Sequence, residues 1–418
     1  MLGYSPLPAP RSSLPLFSHL LGNVSDQRAI VEELAGAAAR GESVVLASVV
    51  RTVGSAYRGV GTRMLVRADD RAVGLVSGGC LEADLIERAR HVRATGQPEV
   101  VTYDTLSDDE LVWGLGIGCN GLVELLVEPL APARAGAVAA LLGGALDGTT
   151  PAVLATVVRS DAPGGPAIGA RLLARAGTDE PLLDGAWGRE IPVDDVLADA
   201  AQVAGGAWRG TTRDYALADG RQTQLSFEVV VPTVRLTICG SGPDAVPVAR
   251  LASNLGWTVT VVDHRPTALA HAERFPDARV VECADATRLA DLLSFESRSA
   301  VVVMSHHYGR DLDYLDAILA VGGAGYVGLL GPRSRTDRML ADLAARGRNR
   351  PPETFERLFG PVGLDVGGEG PEAIALAIVA EVSAVMSGRG GGHLREREGP
   401  IHAPMDNRAS GERFTVGG

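Results

Sequence analysis

The sequence predicts an α/β protein in two parts. An N-terminal mixed α+β domain with a duplicated β unit precedes a C-terminal Rossmann-like, doubly wound parallel sheet. Three observations carry this. Val234 to Ile238 reads as a strand, Gly240-Ser241-Gly242-Pro243-Asp244-Ala245 follows as G-x-G-x-x-A opening a helix, and the next strand ends in Asp263. Val45-Leu46-Ala47-Ser48-Val49-Val50-Arg51-Thr52 is echoed by Val153-Leu154-Ala155-Thr156-Val157-Val158-Arg159-Ser160, and at the same offset Val60 to Ala68 is echoed by Ile168 to Ala176. Finally, short β-branched runs alternate with helical periodicity along the whole chain.

With 418 residues the chain can bury more than one core. Its net charge of −12 and its lack of a long basic block argue against nucleic acid. No apolar run is long enough to span a membrane and no signal-peptide pattern opens the chain, so a cytoplasmic protein without integral membrane association is expected. Four cysteines without a CxxC pair argue against a disulfide framework and against a structural zinc site.

Taken in order, residues 1–25, Pro- and Ser-containing, are expected to form a weakly ordered lead-in. A helix is expected from Asp26 to Arg40, because Ile30, Val31, Leu34 and Ala37 share a face and Gly41 stops it. Strands follow at Val44 to Val50, Met64 to Val66 and Ala72 to Val76. The first is followed by Arg51 to Gly61, a loop whose Arg51, Ser55, Arg58 and glycines suit an anion, or make an ordinary hairpin loop.

The centre of the chain is Gly74-Leu75-Val76-Ser77-Gly78-Gly79-Cys80-Leu81-Glu82. Here a β-like run breaks into glycines and then enters a helix with Leu81, Leu85, Ile86 and Ala89 on one face. Cys80 thus falls at a helix N-terminus, where unpaired N–H groups and the dipole favour a thiolate, phosphate or oxo-anion by about 0.3–2 kcal/mol. The plainer alternative is a packed cysteine beside a turn. A second turn, Gly118-Cys119-Asn120-Gly121, precedes a strand from Leu122 to Val127 and suggests one site shared by two thiols. The repeat supports function, because its second copy carries Asp184-Gly185-Ala186-Trp187-Gly188 in place of the thiol turn. Helices between Leu130 and Thr150 and from Val193 to Ala204 complete this domain, bounded as 26–232.

The second domain, 233–387, continues with strands at Thr258 to Val262, Ala278 to Val281 and Ala300 to Met304, and a helix near Ala286 to Leu293. Asp263 is placed to bind a ribose diol and to disfavour a 2′-phosphate. Strand ends carry His306-His307 and the loop Gly331-Pro332-Arg333-Ser334, whose cations and hydroxyls suit phosphate; a helix cap is the alternative for the histidines. A last amphipathic helix holds Ile374, Ile378 and Val382. Residues 388–418 are Gly/Arg/Glu-rich and expected to be a disordered tail.

Together, Gly54-Ser55, Gly61 to Val66, Gly78-Gly79-Cys80-Leu81-Glu82, Gly118-Cys119-Asn120-Gly121, His306-His307 with Asp311, Gly328 to Ser334, Pro361 to Gly367, Pro371-Glu372 and Ala380-Glu381 resemble the XdhC/CoxI family. These are accessory proteins of molybdenum hydroxylases such as xanthine dehydrogenase and carbon monoxide dehydrogenase. The chain departs from the pattern at Pro332-Arg333-Ser334-Arg335 and in its long segment at about 150 to 230.

The resemblance implies a chaperone that binds the molybdenum cofactor, a molybdopterin or its cytosine dinucleotide form. Such a chaperone protects the cofactor while a cysteine desulfurase sulfurates it and inserts it into an apo molybdenum hydroxylase. Under that reading Cys80 contacts molybdenum or carries sulfur, Cys119 is the second thiol, and Glu82 orients or accepts a proton. Gly78, Gly79, Arg51, Ser55, Arg58, Arg63 and Gly118 cradle the cofactor. Gly240, Gly242, Asp263, His306, His307, Arg333 and Ser334 form a site for NAD(P) or another nucleotide. A homodimer is expected. The alternatives are an NAD(P)-dependent oxidoreductase with His306 or His307 as acid/base, and a nucleotide-binding regulator without chemistry. The first domain shows no Lys/Tyr or His/Asp constellation for hydride transfer.

Overall fold

The computed structural model describes residues 24–54, 58–104, 121–161, 166–175, 180–184, 186–188, 190–206, 212–217 and 220–396. The first half of the N-terminal domain runs α1 (Val24–Arg40), β1 (Val44–Gly54), β2 (Arg63–Val66), β3 (Ala72–Val73), α2 (Glu82–Thr95), β4 (Glu99–Asp104) and β5 (Gly121–Leu130). The second half repeats that order as α3 (Pro132–Leu146), β6 (Ala152–Ser160), β7 (Arg171–Arg175), β8 (Leu182–Leu183), α4 (Val193–Ala204), β9 (Thr212–Ala216) and β10 (Gln222–Val230).

Each half forms one antiparallel five-stranded sheet, ordered β3-β2-β1-β5-β4 and β8-β7-β6-β10-β9. The correspondence extends to irregularities: the β1–β5 ladder shifts register between Val49 and Arg51, and the β6–β10 ladder shifts between Val157 and Arg159. The predicted strand Ala72 to Val76 stops at Val73. Gly74 leaves the sheet at φ 80, where a side chain would meet the Arg63 carbonyl.

Alternation along the strands sends side chains to two faces. Val45, Ala47 and Val49 pack under α2 with Leu125 and Val127, and Val153, Ala155 and Val157 do the same under α4. On the other faces, α1 and α3 lie together in one core with Leu46 and Leu65 of the first sheet and Leu154 and Leu173 of the second. Beyond that core Val50, Leu126 and Val158 meet, and Ser226 Oγ donates to the Val50 carbonyl at 2.6 Å. The two sheets therefore join face to face.

The C-terminal domain comprises β11 (Arg235–Cys239), α5 (Ala245–Asn254), β12 (Thr258–Asp263), α6 (Thr267–Ala270), β13 (Ala278–Glu282), α7 (Leu289–Leu292), β14 (Ser299–Val303), α8 (Tyr308–Val321), β15 (Tyr326–Leu329), α9 (Arg333–Ala345), β16 (Leu358–Phe359) and α10 (Pro371–Met386). The helix expected near Ala286 to Leu293 is a 3₁₀ turn followed by the four residues of α7. The six parallel strands are ordered β13-β12-β11-β14-β15-β16. One face packs α5 and α10 on Leu236, Ile238 and Val302, and the other packs α8 and α9 on Val301 and Val303. Arg298 ties this domain to its linker, donating to the carbonyls of Pro232 at 3.2 Å and Met386 at 2.8 Å. The described chain continues past 388 to a 3₁₀ turn at Leu394–Glu396, and a side chain on Gly391 would touch Leu364. Among the described residues no helix is long and apolar enough to cross a membrane.

Candidate functional site

The Ser77 to Cys80 turn is anchored at both ends. Val76 and Leu81 are buried in the core beneath α2, where each apolar side chain contributes about 1.5–3 kcal/mol. Cys80 is held out in solvent, whereas Cys239 and Cys283 are buried. Gly79 has φ 108 and open space where a side chain would lie, so backbone conformation is what requires glycine there.

The turn is closed by its own hydrogen bonds. Ser77 Oγ accepts from the N–H groups of Gly79 (3.2 Å), Cys80 (3.0 Å) and Leu81 (3.0 Å), and donates to Glu82 at 2.5 Å. Glu82 also accepts from the Ser77 and Leu81 N–H groups at 2.8 and 3.2 Å. This corrects the expectation of unpaired N–H groups: the donors beside Cys80 are already engaged by Ser77. What remains for an anion is the dipole of α2 and an exposed thiol. Burial works against ionising Glu82, but the Ser77 hydroxyl and the backbone donors outweigh it and hold the carboxyl below its ordinary range. A carboxylate so engaged orients the turn and is a poor proton acceptor. Among the described residues no three His, Cys, Asp or Glu side chains gather as metal ligands, and Cys80 presents an exposed thiol there.

Ser55, Gly118 and Cys119 lie outside the described residues. The strands that lead to them are paired, Gly54 opposite Gly121 at the ends of β1 and β5.

The three arginines expected to hold phosphate differ. Arg63 is buried and engaged: it donates to Glu228, to the Gly61 carbonyl at 2.8 Å and to Gln27 at 3.1 Å. Its expected phosphate role is corrected, since a ligand would have to break a desolvated ion pair. Arg58 pairs with Asp26 at 2.5 Å. Arg51 is half-exposed and reaches Glu124 at 3.3 Å.

In the C-terminal domain the carboxyl ends of the parallel strands bring Gly240, Asp263, His306 and Gly331 to one edge of the sheet. Asp263 is fully buried and accepts from the Ser241 N–H and hydroxyl (2.8 and 2.7 Å) and from three donors of Arg265 (2.8 to 3.0 Å). Desolvation opposes its charge, yet Arg265 and Ser241 hold its carboxyl far below the usual range. Asp263 therefore braces the glycine loop, and the expected ribose contact is corrected, because both its oxygens are taken. Gly240 also has an internal reason, since a side chain there would lie 2.6 Å from Ser305 Cα. At Gly242 a side chain would meet only the His306 ring, at 3.6 Å, so this part of the edge stays open to a ligand.

His306 adopts φ 61, and its Nε2 lies 3.2 Å from Asp244. His307 caps α8, its Nδ1 accepting from the Arg310 N–H at 3.3 Å. Arg333 and Ser334 are exposed in the first turn of α9, while Arg335 donates to Asp311 at 2.7 Å. Beside them a cleft of about 300 Å³ runs between Leu330-Gly331 and the loop from Pro361 to Gly368. Glu381 pins that loop, accepting from Tyr326 Oη at 2.5 Å and the Gly363 N–H at 2.8 Å.

Arg265 does not stand out in the sequence, and Ser77, Asp244 and Glu381 appear there within motifs but without the contacts that they make. For Ser77 the contact itself carries a legible signal, a hydroxyl residue shortly before an acidic residue at a helix start.

The fold and site define a two-domain α/β protein in which a duplicated antiparallel domain presents a thiol and a Rossmann domain follows. Residues 37–104 match the XdhC and CoxI family, and residues 236–382 match the XdhC Rossmann domain. A Bacillus subtilis protein whose name describes it as part of a probable xanthine dehydrogenase is 31% identical over 345 residues, 82% of this chain and 92% of its own length. The Escherichia coli molybdenum cofactor insertion chaperone PaoD is 30% identical over 109 residues, 26% of this chain and 33% of its own. A Bacillus halodurans crystal structure described as a xanthine dehydrogenase aligns with TM-score 0.66 at 29% identity, covering 86% of this chain and 96% of that one. The chain belongs to the XdhC/CoxI family.

Proposed function

We propose that this chain is an accessory protein of a molybdenum hydroxylase, and that it binds the molybdenum cofactor at the Cys80 turn. The observation that carries the reading is the exposed thiol on an anchored glycine turn, in a chain related over most of its length to a protein named for xanthine dehydrogenase. The name of the cofactor insertion chaperone supports the same assignment. The bound group would supply an oxidation-sensitive molybdenum centre and a phosphorylated pterin. This chain supplies a soft sulfur ligand at Cys80, a turn fixed by Ser77 and Glu82, and open space at Gly79.

The finer parts of the proposal are retention of the cofactor during sulfuration by a cysteine desulfurase and delivery to the apo hydroxylase in the cytoplasm by a homodimer. Cys119 is assigned as the second thiol. The Rossmann edge near Gly242 and His306 is assigned to a nucleotide, either the cytosine moiety of the cofactor or NAD(P).

Purification from a host that makes the cofactor tests this. Molybdenum and pterin are expected on the wild type and largely lost in Cys80→Ala with unchanged thermal melting. Full retention by the variant removes Cys80 from the site. Nicotinamide nucleotide with substrate-dependent reduction, and no pterin, would establish an oxidoreductase instead.

A further inference from the structure

The two halves of the N-terminal domain meet in a layer of ion pairs that is balanced and, nearer the ends of β1 and β6, in one that is not. In the buried layer Arg63 pairs with Glu228 and Arg171 with Glu128, two cations to two carboxylates. In the outer layer Arg51 and Arg159, equivalent positions of the repeat, both donate to the same oxygen of Glu124, at 3.3 and 3.1 Å. The residue opposite Arg159, as Glu124 is opposite Arg51, is the neutral Gln224, and its amide donates to Asp214 at 2.9 Å. Glu124 is only 8% exposed, whereas Arg51 is 39% and Arg159 53% exposed. The carboxylate is thus the buried member beneath two guanidiniums that retain donors toward solvent.

We propose that Arg51 and Arg159 form a clamp for a phosphomonoester dianion, one arginine from each half of the duplicated domain. Two planar guanidiniums held at one point present the forked donors that phosphate oxygens accept, and the surplus positive charge favours a dianion over a neutral ligand. The clamp lies on strands whose paired ends, Gly54 and Gly121, are close in sequence to Ser55 and Cys119. Assigning the phosphate to the cofactor rests on the function proposed above; a free phosphorylated metabolite offers the same chemistry. Glu124 competes with the ligand for both arginines, so the clamp opens as the phosphate replaces it.

Phosphorus-31 NMR titration of the full chain with inorganic phosphate tests the site. Saturable binding is expected, weakened about tenfold or more in Arg159→Ala and Arg51→Ala, weakened less in Arg159→Lys, and tightened several-fold in Glu124→Gln. A purely structural role for the cluster would not give the tightening. Arg288→Ala, at an exposed position in the other domain, serves as the unchanged control. No saturable binding by the wild type, or equal binding by the wild type and the Arg159→Ala and Glu124→Gln variants, overturns the clamp. Cofactor retention on the same proteins separates the two proposals. Retention by the wild type and equally by Arg159→Ala overturns the clamp and leaves the accessory role. Phosphate binding as expected, with no cofactor on the wild type, supports the clamp for a different phosphomonoester and overturns the cofactor reading.

Discussion

Arg63 and Glu228, 165 residues apart in sequence, form a buried guanidinium–carboxylate pair across the two sheets, and Arg171 with Glu128 repeats it in the opposite sense. Each arginine also donates to the carbonyl two residues before it, Gly61 or Gly169. The halves of the domain are thus cross-braced by equivalent residues exchanged between them. Removing one partner leaves a desolvated charge, so Glu228→Ala and Glu128→Ala should each cost about 3–5 kcal/mol. Replacing both members, as in Arg63→Met with Glu228→Met, should cost much less. Urea denaturation of the singles and the double decides this, and equal losses in all three would show that the pairs do not brace the fold.

A second expectation concerns the thiols. In a Cys119→Ser background, brief alkylation of the native protein should label Cys80 and spare Cys239 and Cys283. Burial pushes both of those thiols up in pKa, and Cys283 is further held by a bond to the Asp285 carbonyl at 3.1 Å. Ser77→Ala should cost about 1 kcal/mol and raise hydrogen exchange at Gly79, Cys80 and Leu81, which lose their shared acceptor. Unchanged exchange at those amides would remove Ser77 as the brace of the turn.

Much of this was legible in the sequence. The constant offset between Val45 and Val153 announced two copies of one β unit, and the interval from Gly240 to Asp263 announced the Rossmann strands, because both depend on local periodicity. What escaped depends on which side chains face each other. Arg51, Arg58 and Arg63 look alike in one loop-rich stretch, yet only the sheet-to-sheet packing buries Arg63 and leaves Arg51 at the surface. Similarly, nothing near Asp263 in the sequence says that Arg265 folds back on it, or that Ser241 takes its second oxygen.

The Asp263 brace predicts a pH dependence. Its carboxyl is held well below the unfolded value, so its stabilisation is fully present above the unfolded aspartate pKa and is lost as pH falls through the lowered folded pKa. Asp263→Asn should therefore be less stable than wild type at neutral pH, and the difference should shrink on acidification. A difference independent of pH between neutrality and strong acid would show that charge at Asp263 is not what holds the glycine loop.

The glycines of that loop separate structure from binding. At Gly240 a methyl group would lie 2.6 to 2.8 Å from the backbone of Ser305 and Met304, which belongs to the neighbouring strand end and cannot yield without parting β11 from β14. The φ of 126 adds strain for any L side chain. Gly240→Ala should thus lower the melting temperature sharply. At Gly242 the same methyl would sit 3.6 Å from the His306 ring, an ordinary contact, so Gly242→Ala should melt close to wild type. Any nucleotide that uses the open edge must pass the backbone at Gly242, and there the added methyl would stand in its path. Calorimetric titration with NAD, NADP and cytidine nucleotides against both the wild type and Gly242→Ala reads this directly. A nucleotide that binds the wild type and loses affinity in the stable variant occupies the Rossmann edge; equal affinity for the two proteins places the ligand elsewhere, whatever the glycine motif suggests.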